Sequence, residues 1–319
     1  MKVQGKKVDL SDIYLSETNE RQKNILDYMN DSVDGGYLPP EQVQYLMQNL
    51  NMNLQQLMNY LVPYATKFAL PPISGFQVGA VVHGISGAIY FGANIEFIDE
   101  ALSFTVHAEQ ASIAHAVSYG ETGVDYLAIS AAPCGYCRQF LYEIINCPST
   151  EDITVLINDA SSNLTALLPQ AFGPQDLGVT TRLMLSQNNN LQMTPPPSDP
   201  FVINAFNAAN TSYSPYTADY SGVCLVTNLG SYVGAYAENA AYNPSMSPLE
   251  AALVLLIMSG DSYNNISRAI LVEANNNKCS QRSATTDVLA AVAENITLEY
   301  YQAISSKQKD LLPNKKSFV

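Results

Sequence analysis

Two cysteines three positions apart, Cys134 and Cys137 in the stretch SAAPCGYCRQF, are the residues of this sequence best suited to chemistry. Such a pair can form a redox dithiol, hold a metal ion or simply pack in a core. The segment from Cys134 onwards reads as a helix, so both thiols should lie on its first turn. A helix N-terminus stabilises negative charge and favours thiolates, which suits a dithiol and a metal site equally.

A histidine and a glutamate upstream distinguish between these possibilities. His107 and Glu109, in the stretch TVHAEQ, begin the preceding predicted helix. Two consecutive strand–helix units bring both helix starts to the same edge of a sheet, where His107 can meet the cysteine pair. One imidazole and two thiolates are the three protein ligands of a catalytic zinc site that keeps its fourth position open. A thioredoxin-like dithiol would leave His107 and Glu109 unexplained, so the sequence predicts a metal site.

Composition limits the partners of such a site. The 319 residues are enough for two domains, and 15 Lys and Arg against 29 Asp and Glu give a formal charge of −14. This charge repels a phosphate backbone, so nucleic acid is not an expected partner. The longest apolar run, AALVLLIM, is far shorter than the ~20 residues that span a bilayer, and no signal-like run precedes it. We therefore expect a cytoplasmic protein that does not enter membranes.

The five cysteines do not predict a disulfide framework, because their number is odd and their spacing irregular. A reducing compartment would keep most of them as thiols. Outside the C-x-x-C pair, Cys147, Cys224 and Cys279 are expected to be small core or loop residues. His83, in a predicted hairpin turn, and His115, eight residues beyond His107, are expected to be structural.

The elements that must position the metal site alternate between helix and strand. Residues 12–65 have helical periodicity, with a helix start at Pro39 and Pro40, and a β-hairpin follows over 76–94. A helix, a strand, a second helix and a second strand then follow, predicted over the stretches VHAEQASIAHAVSYG, DYLAISAA, CGYCRQFLYEII and DITVLIN. This order predicts an α/β fold whose sheet is at least partly parallel and covered on both faces.

The pattern starts again after residues 186–199, a stretch rich in Asn, Gln and Pro that reads as a loop or an extended spacer. Another hairpin over 222–239, a helix and the strand RAILVEA follow it. Three pairs of residues stand at nearly constant separations: Gly92 and Gly234 by 142, Glu96 and Glu238 by 142, Glu109 and Glu250 by 141. The constant offset predicts an internal duplication.

The combination H-x-E followed by P-C-x-x-C is typical of zinc-dependent nucleobase deaminases. The chain resembles a cytidine deaminase of the two-domain, homodimeric kind, in the stretches SGFQVGAVVHGISG, YFGANIEF, TVHAEQASIAHA, PCGYCRQF, AFGPQDL and YAENAAYNP. This resemblance implies a duplicated three-layer α/β/α deaminase-like sandwich with a mixed sheet and a small helical N-terminal segment. It divides the chain into a helical segment 1–52, a catalytic domain 53–185, a linker 186–199 and a degenerate domain 200–319.

The resemblance also implies roles for individual residues. His107, Cys134 and Cys137 would bind one Zn²⁺ per subunit, and Glu109 would shuttle protons. Substrate contacts would come from Phe76, packed on the pyrimidine, from Asn94 and Glu96, hydrogen-bonded to the ribose, and from Phe172, which would close the partner subunit's pocket. Asn94 and Glu96 stand two apart on a strand, so both can face neighbouring sugar hydroxyls.

The second copy lacks the zinc motif. Tyr236 stands at the offset of Asn94, Pro248 stands where a ligand histidine is needed, and RAILVEANNNKCSQ contains no P-C-x-x-C. We therefore expect the second domain to bind no catalytic metal and to supply packing and pocket walls.

The expected function is hydrolytic deamination of cytidine and 2′-deoxycytidine to uridine and 2′-deoxyuridine with release of ammonia, in pyrimidine salvage. The expected partners are this nucleoside and a second copy of the chain. One alternative keeps the chemistry but uses a nucleotide, a modified nucleoside or a base in RNA. Another is a non-enzymatic protein in which zinc joins two helices. The acidic charge and the ribose pair favour a free nucleoside, and only three metal ligands are evident, whereas structural zinc sites usually have four.

Overall fold

Two mixed β-sheets organise the chain in this computed structural model, which describes residues 35–145, 152–158, 160–275 and 278–305. The strands of the first sheet are β1 Tyr37–Leu38, β2 Gly79–Gly84, β3 Ile89–Ala93, β4 Val124–Ile129, β5 Thr154–Ile157 and β6 Ala160–Asn163. Those of the second are β7 Leu191–Gln192, β8 Ser221–Val226, β9 Ser231–Ala235, β10 Arg268–Ala274 and β11 Leu298–Ser305. The spatial orders are β1-β3-β2-β4-β5-β6 and β7-β11-β10-β8-β9. In each sheet one neighbouring pair is parallel, β4 with β5 and β10 with β11.

Eight α-helices connect or cover these strands in the described part of the chain. They are α1 Pro40–Leu50, α2 Leu54–Thr66, α3 Ala108–Ser118, α4 Gly135–Tyr142, α5 Leu164–Leu167, α6 Pro200–Thr211, α7 Pro248–Met258 and α8 Arg282–Val292. None of them is both long enough and apolar enough to cross a membrane.

The helical N-terminal region forms as predicted where the structure describes it. Pro39 is the N-cap of α1, and Asn53 and Gln56 cap α2 reciprocally through two hydrogen bonds of 2.9 Å. The predicted helical residues 12–34 lie outside the described part. One feature was not predicted: β1 pairs with β3 at the edge of the first sheet. This part of the expected helical segment therefore also belongs to the sheet.

Helices cover both faces of the first sheet, as the predicted three-layer sandwich requires. An ideal Cβ on Gly79 would lie 2.4 Å from the backbone nitrogen of Thr66 in α2. One on Gly92 would lie 2.2 Å from the backbone nitrogen of Ser112 in α3. Gly79 is paired with Ala93, next to Gly92 along β3, and neighbouring residues of a strand face opposite sides. The two glycines thus let α2 and α3 approach opposite faces closely.

The second half repeats this arrangement. A Cβ on Gly222 would lie 2.4 Å from the backbone nitrogen of Ala209 in α6, and one on Gly234 would lie 2.4 Å from that of Ala252 in α7. Helix α6 therefore corresponds to α2, and α7 corresponds to α3. The duplication predicted from the constant offset is confirmed.

After the hairpin, the correspondence between residues of the two halves differs from the predicted one. Ile95 bridges Val106 in the first half, and Ala237 bridges Met246 in the second, so the second loop is two residues shorter. The N-cap of α7 is consequently Ser247, in the place of His107. Prediction had put Pro248 there and had matched Glu250 to Glu109, because a constant offset cannot show a deletion. Glu250 corresponds instead to Gln110.

Several elements of the second half had no sequence prediction, among them α6, α8 and β11. The segment 186–199, predicted as a loop or spacer, is mostly irregular but contributes β7, which pairs with the last residues of β11. At the end of this segment Asp199 caps α6 and accepts a 2.8 Å hydrogen bond from Arg268 of β10. The segment is therefore attached to the second sheet at two points.

Glu250 gives the fold a pH-dependent stability. Burial raises the pKa of Glu250 to about 7, although hydrogen bonds from Ser247 oppose the shift. Between roughly pH 4.5 and pH 7 the unfolded chain loses this proton while the folded chain keeps it, so the free energy of unfolding falls as pH rises. Gln110 holds the same capping position in α3 as an uncharged amide.

We therefore expect Glu250→Gln to stabilise the protein above pH 7 by about 3 kcal/mol and to have little effect near pH 4. Urea unfolding of both proteins at pH 4, 5.5 and 8 measures this difference. A stability difference that is the same at all three values would contradict the assignment.

Candidate functional site

The three predicted ligands lie at the N-termini of α3 and α4. His107 is the N-cap of α3 and Cys134 the N-cap of α4, while Cys137 lies one turn into α4 and is fully buried. Their ligand atoms all lie within 4.8 Å of one another, and this is the one such group found among the described residues. Helix α3 follows β3 and α4 follows β4, and both strands run antiparallel to β2 between them, so both helix starts lie at the same edge of the sheet.

The distances between the ligand atoms fit a single tetrahedral metal ion. Sγ of Cys134 lies 3.6 Å from Sγ of Cys137 and 3.7 Å from Nδ1 of His107. Two sulfurs at ~2.3 Å from one tetrahedral ion stand about 3.8 Å apart, and a sulfur and an imidazole nitrogen stand about 3.5 Å apart. One nitrogen and two sulfurs are donors that Zn²⁺ prefers.

One of the two thiols, that of Cys134, is favoured as a thiolate. The pKa of Cys134 is lowered to about 5, first by a hydrogen bond from the Cys137 thiol and further by backbone N–H groups of the first turn of α4. The pKa of Cys137 is raised, because its thiol is shared with Cys134 and because it is buried. At neutral pH the pair therefore carries one negative charge, which attracts a cation.

Glu109 lies beside these ligands in the first turn of α3. Its side chain is 3% exposed, and this burial raises its pKa above the ordinary value for a glutamate. Hydrogen bonding to Cys137 and the nearby His107 act in the opposite direction. A carboxyl group with a raised pKa holds a proton more readily than an exposed glutamate does, which suits a proton shuttle.

Asn94 and Glu96 both hold the loop that precedes β2. Oδ1 of Asn94 accepts from the Val78 N–H at 2.8 Å, and its Nδ2 donates to the Phe76 carbonyl at 2.9 Å. Glu96 accepts from the N–H groups of Ile73 and Ser74 and from the Ser74 hydroxyl, at 2.5 to 2.9 Å. Partial burial raises the pKa of Glu96, but these hydrogen bonds outweigh it, so the net shift is downward.

The residues that hold this loop are connected to the metal ligands. Ile95, between Asn94 and Glu96, exchanges two backbone hydrogen bonds of 2.9 Å with Val106, the residue before His107. Phe76, at the end of the loop, is 61% exposed and presents its ring to the surface. Phe172 is 47% exposed, and its carbonyl accepts a 2.8 Å hydrogen bond from Gln139 of α4.

The other histidines and cysteines lie in the framework. Nδ1 of His115 lies 2.9 Å from the Phe91 carbonyl, and burial lowers the pKa of His115 to about 4. His83 lies on β2, not in the hairpin turn as predicted, and its Nδ1 lies 2.7 Å from Asp125. Cys224 is fully buried in β8, and Cys279 is half-buried in the second half. Cys147 lies outside the described residues.

The second half keeps part of the loop geometry without the ligands. Glu238 accepts from the N–H groups of Tyr216 and Thr217, as Glu96 does from Ile73 and Ser74. The residue in the place of Glu109 is Leu249, and Gln281 is the N-cap of α8 where Cys134 is that of α4. A hydroxyl, a leucine and an amide cannot replace the imidazole, the carboxyl and the thiolate of the first site.

Sequence reasoning missed the residues that join the site to the second half. Gln110 donates to the Pro244 carbonyl at 3.3 Å, and Tyr136 donates to the Asn243 carbonyl at 2.6 Å. Gln110 directly follows the H-A-E motif and Tyr136 lies inside the C-x-x-C motif, but their partners lie more than 100 residues away in sequence. The motif spacing could mark these residues as close to the metal, but it carried no signal of their contacts.

A cavity of about 800 Å³ lies elsewhere, between α3 and β9, with Tyr37, Tyr119 and Tyr232 among its lining residues. None of the predicted site residues lines it. The chemistry is therefore assigned from the ligand geometry and not from the volume of this cavity.

Comparison with known proteins agrees with this geometry. Residues 52–147 and 164–286 match two families, each described as a cytidine and deoxycytidylate deaminase zinc-binding region. A cytidine deaminase of Photorhabdus laumondii is 41% identical over 281 residues, which cover 88% of this chain and 94% of that protein. One of Photobacterium profundum is 42% identical over 267 residues, with 83% and 89% covered. The crystal structure of the Mycobacterium tuberculosis cytidine deaminase aligns with 28% identity and a TM-score of 0.33, covering 37% of this chain and 95% of that one. The matches on both halves, at this identity over most of the length, show that the chain belongs to the cytidine deaminase family and that its fold is a duplicated deaminase domain.

Proposed function

We propose that this protein catalyses the zinc-dependent hydrolytic deamination of cytidine and 2′-deoxycytidine to uridine and 2′-deoxyuridine, with release of ammonia. The observation that carries the proposal is the group formed by His107, Cys134 and Cys137, whose ligand atoms lie within 4.8 Å of one another beside the buried Glu109. Family membership supports the reaction, and pyrimidine salvage is the process that such a reaction would serve.

The three ligands would hold one zinc ion per chain, in the first half only. When bound, zinc supplies Lewis acidity, which lowers the pKa of water to ~7 and so provides a nucleophile at neutral pH. Two thiolates make it a weaker acid than three histidines would, so much of the activation falls to the protein. The absence of an equivalent ligand set at Ser247, Leu249 and Gln281 supports the restriction to the first half.

Glu109 is the group that moves protons in this proposal. It takes a proton from the attacking water and delivers it to N3 of the pyrimidine ring, and it then takes the remaining proton of the added hydroxyl and passes it to the departing amine. The buried position and the raised pKa of Glu109 support both steps, since the same carboxyl must accept and release a proton.

Asn94, Glu96 and Phe76 would bind the nucleoside. Asn94 and Glu96 hold the loop that ends at Phe76, and Ile95 between them pairs with Val106, the residue before His107. Asn94 and Glu96 would share their hydrogen bonds with ribose hydroxyls, and Phe76 would pack on the pyrimidine. The net charge of −14 disfavours a phosphorylated substrate, so a free nucleoside is preferred to a nucleotide.

We further propose a homodimer in which the partner covers the exposed apolar loop residues near the site. These side chains are 41–72% exposed: Ile73, Phe76, Ile98, Leu102, Phe172 and Leu177. Phe172 would close the partner subunit's pocket. A sedimentation mass equal to one chain at micromolar concentration would contradict the dimer.

The domain limits and the location complete the proposal. The catalytic domain spans 53–185 and the degenerate domain 200–319, joined by 186–199 and preceded by the segment 1–52. A cytoplasmic location suits ligands that must remain thiols, since an oxidising compartment would tend to pair Cys134 with Cys137.

Loss of ultraviolet absorbance on mixing purified protein with cytidine tests the function. We expect turnover of cytidine and 2′-deoxycytidine, slower turnover of cytidine 5′-monophosphate, and loss of all activity after chelation of the metal. Faster turnover of the monophosphate would favour the nucleotide alternative. Stoichiometric zinc without turnover of any cytosine compound would instead favour a structural zinc.

A further inference from the structure

Tyr136, which stands between the two cysteine ligands, contacts the third ligand. Its ring is stacked on the imidazole of His107, with centroids 5.7 Å apart and ring planes 26° from parallel. The same imidazole directs Nδ1 towards Cys134. A tyrosine inserted between two ligands of one motif therefore packs against the only ligand from the other helix.

The hydroxyl of Tyr136 is fixed by the second half of the chain. It donates a 2.6 Å hydrogen bond to the carbonyl of Asn243, in the loop between β9 and α7. The acceptor is a backbone group whose position the fold sets, so the ring has little freedom to turn away from His107. This loop is the one that is two residues shorter than its counterpart in the first half.

Tyr136 belongs to a row of α4 residues that face the second half. The Gln139 side chain donates to the Asn239 side chain at 3.4 Å, and the Gln139 main-chain carbonyl accepts from Asn239 at 2.9 Å. One turn further, at the C-cap of α4, the fully buried Glu143 accepts from the Tyr213 hydroxyl at 2.8 Å and from the Ala240 N–H at 3.1 Å. Spacings of three and four residues place all three side chains on one face of the helix. The helix that carries two ligands is thus docked along its length on the second half.

The same loop also reaches the backbone of His107. Gln110 accepts from the His107 N–H at 3.3 Å and donates to the Pro244 carbonyl at 3.3 Å. Asn243 and Pro244 therefore act on the ring of His107 through Tyr136 and on its main chain through Gln110. Two independent contacts converge on one ligand from neighbouring residues of the second half.

We infer that Tyr136 is a positioning residue that holds the imidazole of His107 in its metal-binding orientation, with the second half of the chain as its anchor through Asn243. This inference rests on the zinc site proposed above. Groups behind metal ligands fix ring orientation, and their loss typically lowers metal affinity or activity by 10–100-fold. The degenerate half thereby acts on the metal site without contributing a ligand.

Three variants distinguish the effect of losing the ring, the effect of losing the hydroxyl and the effect of general destabilisation. Tyr136→Leu removes the stack, and Tyr136→Phe keeps the stack but removes the bond to Asn243. Tyr232→Phe is the matched control, because its buried hydroxyl donates to Asp261 at 2.8 Å in the second half and does not contact His107. The readouts are the rate of zinc release to a coloured chelator and the visible spectrum of the cobalt(II)-substituted protein.

We expect Tyr136→Leu to release zinc about 10–100-fold faster than wild type and to alter the cobalt spectrum. Tyr136→Phe should release zinc at a rate between those of wild type and Tyr136→Leu. Tyr232→Phe should match wild type in both readouts. Wild-type release and an unchanged spectrum in Tyr136→Leu would overturn the inference, as would an equal effect of Tyr232→Phe. If Tyr136→Leu does not fold, Tyr136→Phe decides, and release at the wild-type rate would overturn the anchoring role. Failure of the wild-type protein to hold zinc would overturn the zinc site itself, and this inference with it.

Discussion

Replacing Glu109 with glutamine is expected to leave the zinc content unchanged and to lower kcat by a factor of about 10²–10⁴ or more. Glu109 is buried beside the ligands without being one of the three that converge on the metal position. Glutamine has nearly the same shape but can neither accept a proton from water nor deliver one to the ring. The measurement is kcat for cytidine together with elemental analysis of the same preparation.

A second buried glutamate provides the control for this substitution. Glu121 is 5% exposed and accepts from the Tyr90 hydroxyl at 3.2 Å, away from the metal ligands. Glu121→Gln makes the same chemical change in the same half of the chain and should leave kcat close to the wild-type value. Wild-type turnover in Glu109→Gln would remove Glu109 from the mechanism, whatever the zinc content.

Replacing Cys137 with serine is expected to remove the metal itself. Cys137 is fully buried, and its sulfur lies 3.6 Å from that of Cys134. A serine hydroxyl does not ionise near neutral pH, so the site would keep one imidazole and one thiolate. Since even groups behind metal ligands contribute 10–100-fold, loss of a ligand should lower kcat/KM by more than about 100-fold. Zinc per chain, measured by elemental analysis, should fall towards zero.

Cys224→Ser is the matched control for this variant. Cys224 is also a fully buried thiol, but it lies in β8 of the second sheet and is not part of the ligand group. Its replacement tests the cost of placing a hydroxyl in the core without touching the metal. Equal zinc loss in both variants would point to general destabilisation, and full zinc retention in Cys137→Ser would exclude Cys137 as a ligand.

The sequence alone determined which residues could bind a metal, because that information is local. Cys134 and Cys137 are three apart at a helix start, and His107 precedes the other helix, with one strand between them. Spacing on a helix and the strand–helix alternation follow from short stretches of chain, so the meeting of these residues at one sheet edge could be predicted. The α/β class and the duplication were predictable for the same reason, since both are patterns of residue type and period.

Contacts between distant parts of the chain were decided only by the tertiary structure. The second half is two residues shorter in this loop, so that Ser247 corresponds to His107. Only the pairing of Ala237 with Met246 revealed this difference. The contact of Tyr136 with Asn243 joins residues 107 positions apart. No periodicity or motif encodes such a contact, because it depends on how two folded halves pack. The ligands could therefore be predicted from local sequence. The contacts that hold them in place depend on the packing of one half against the other and could not.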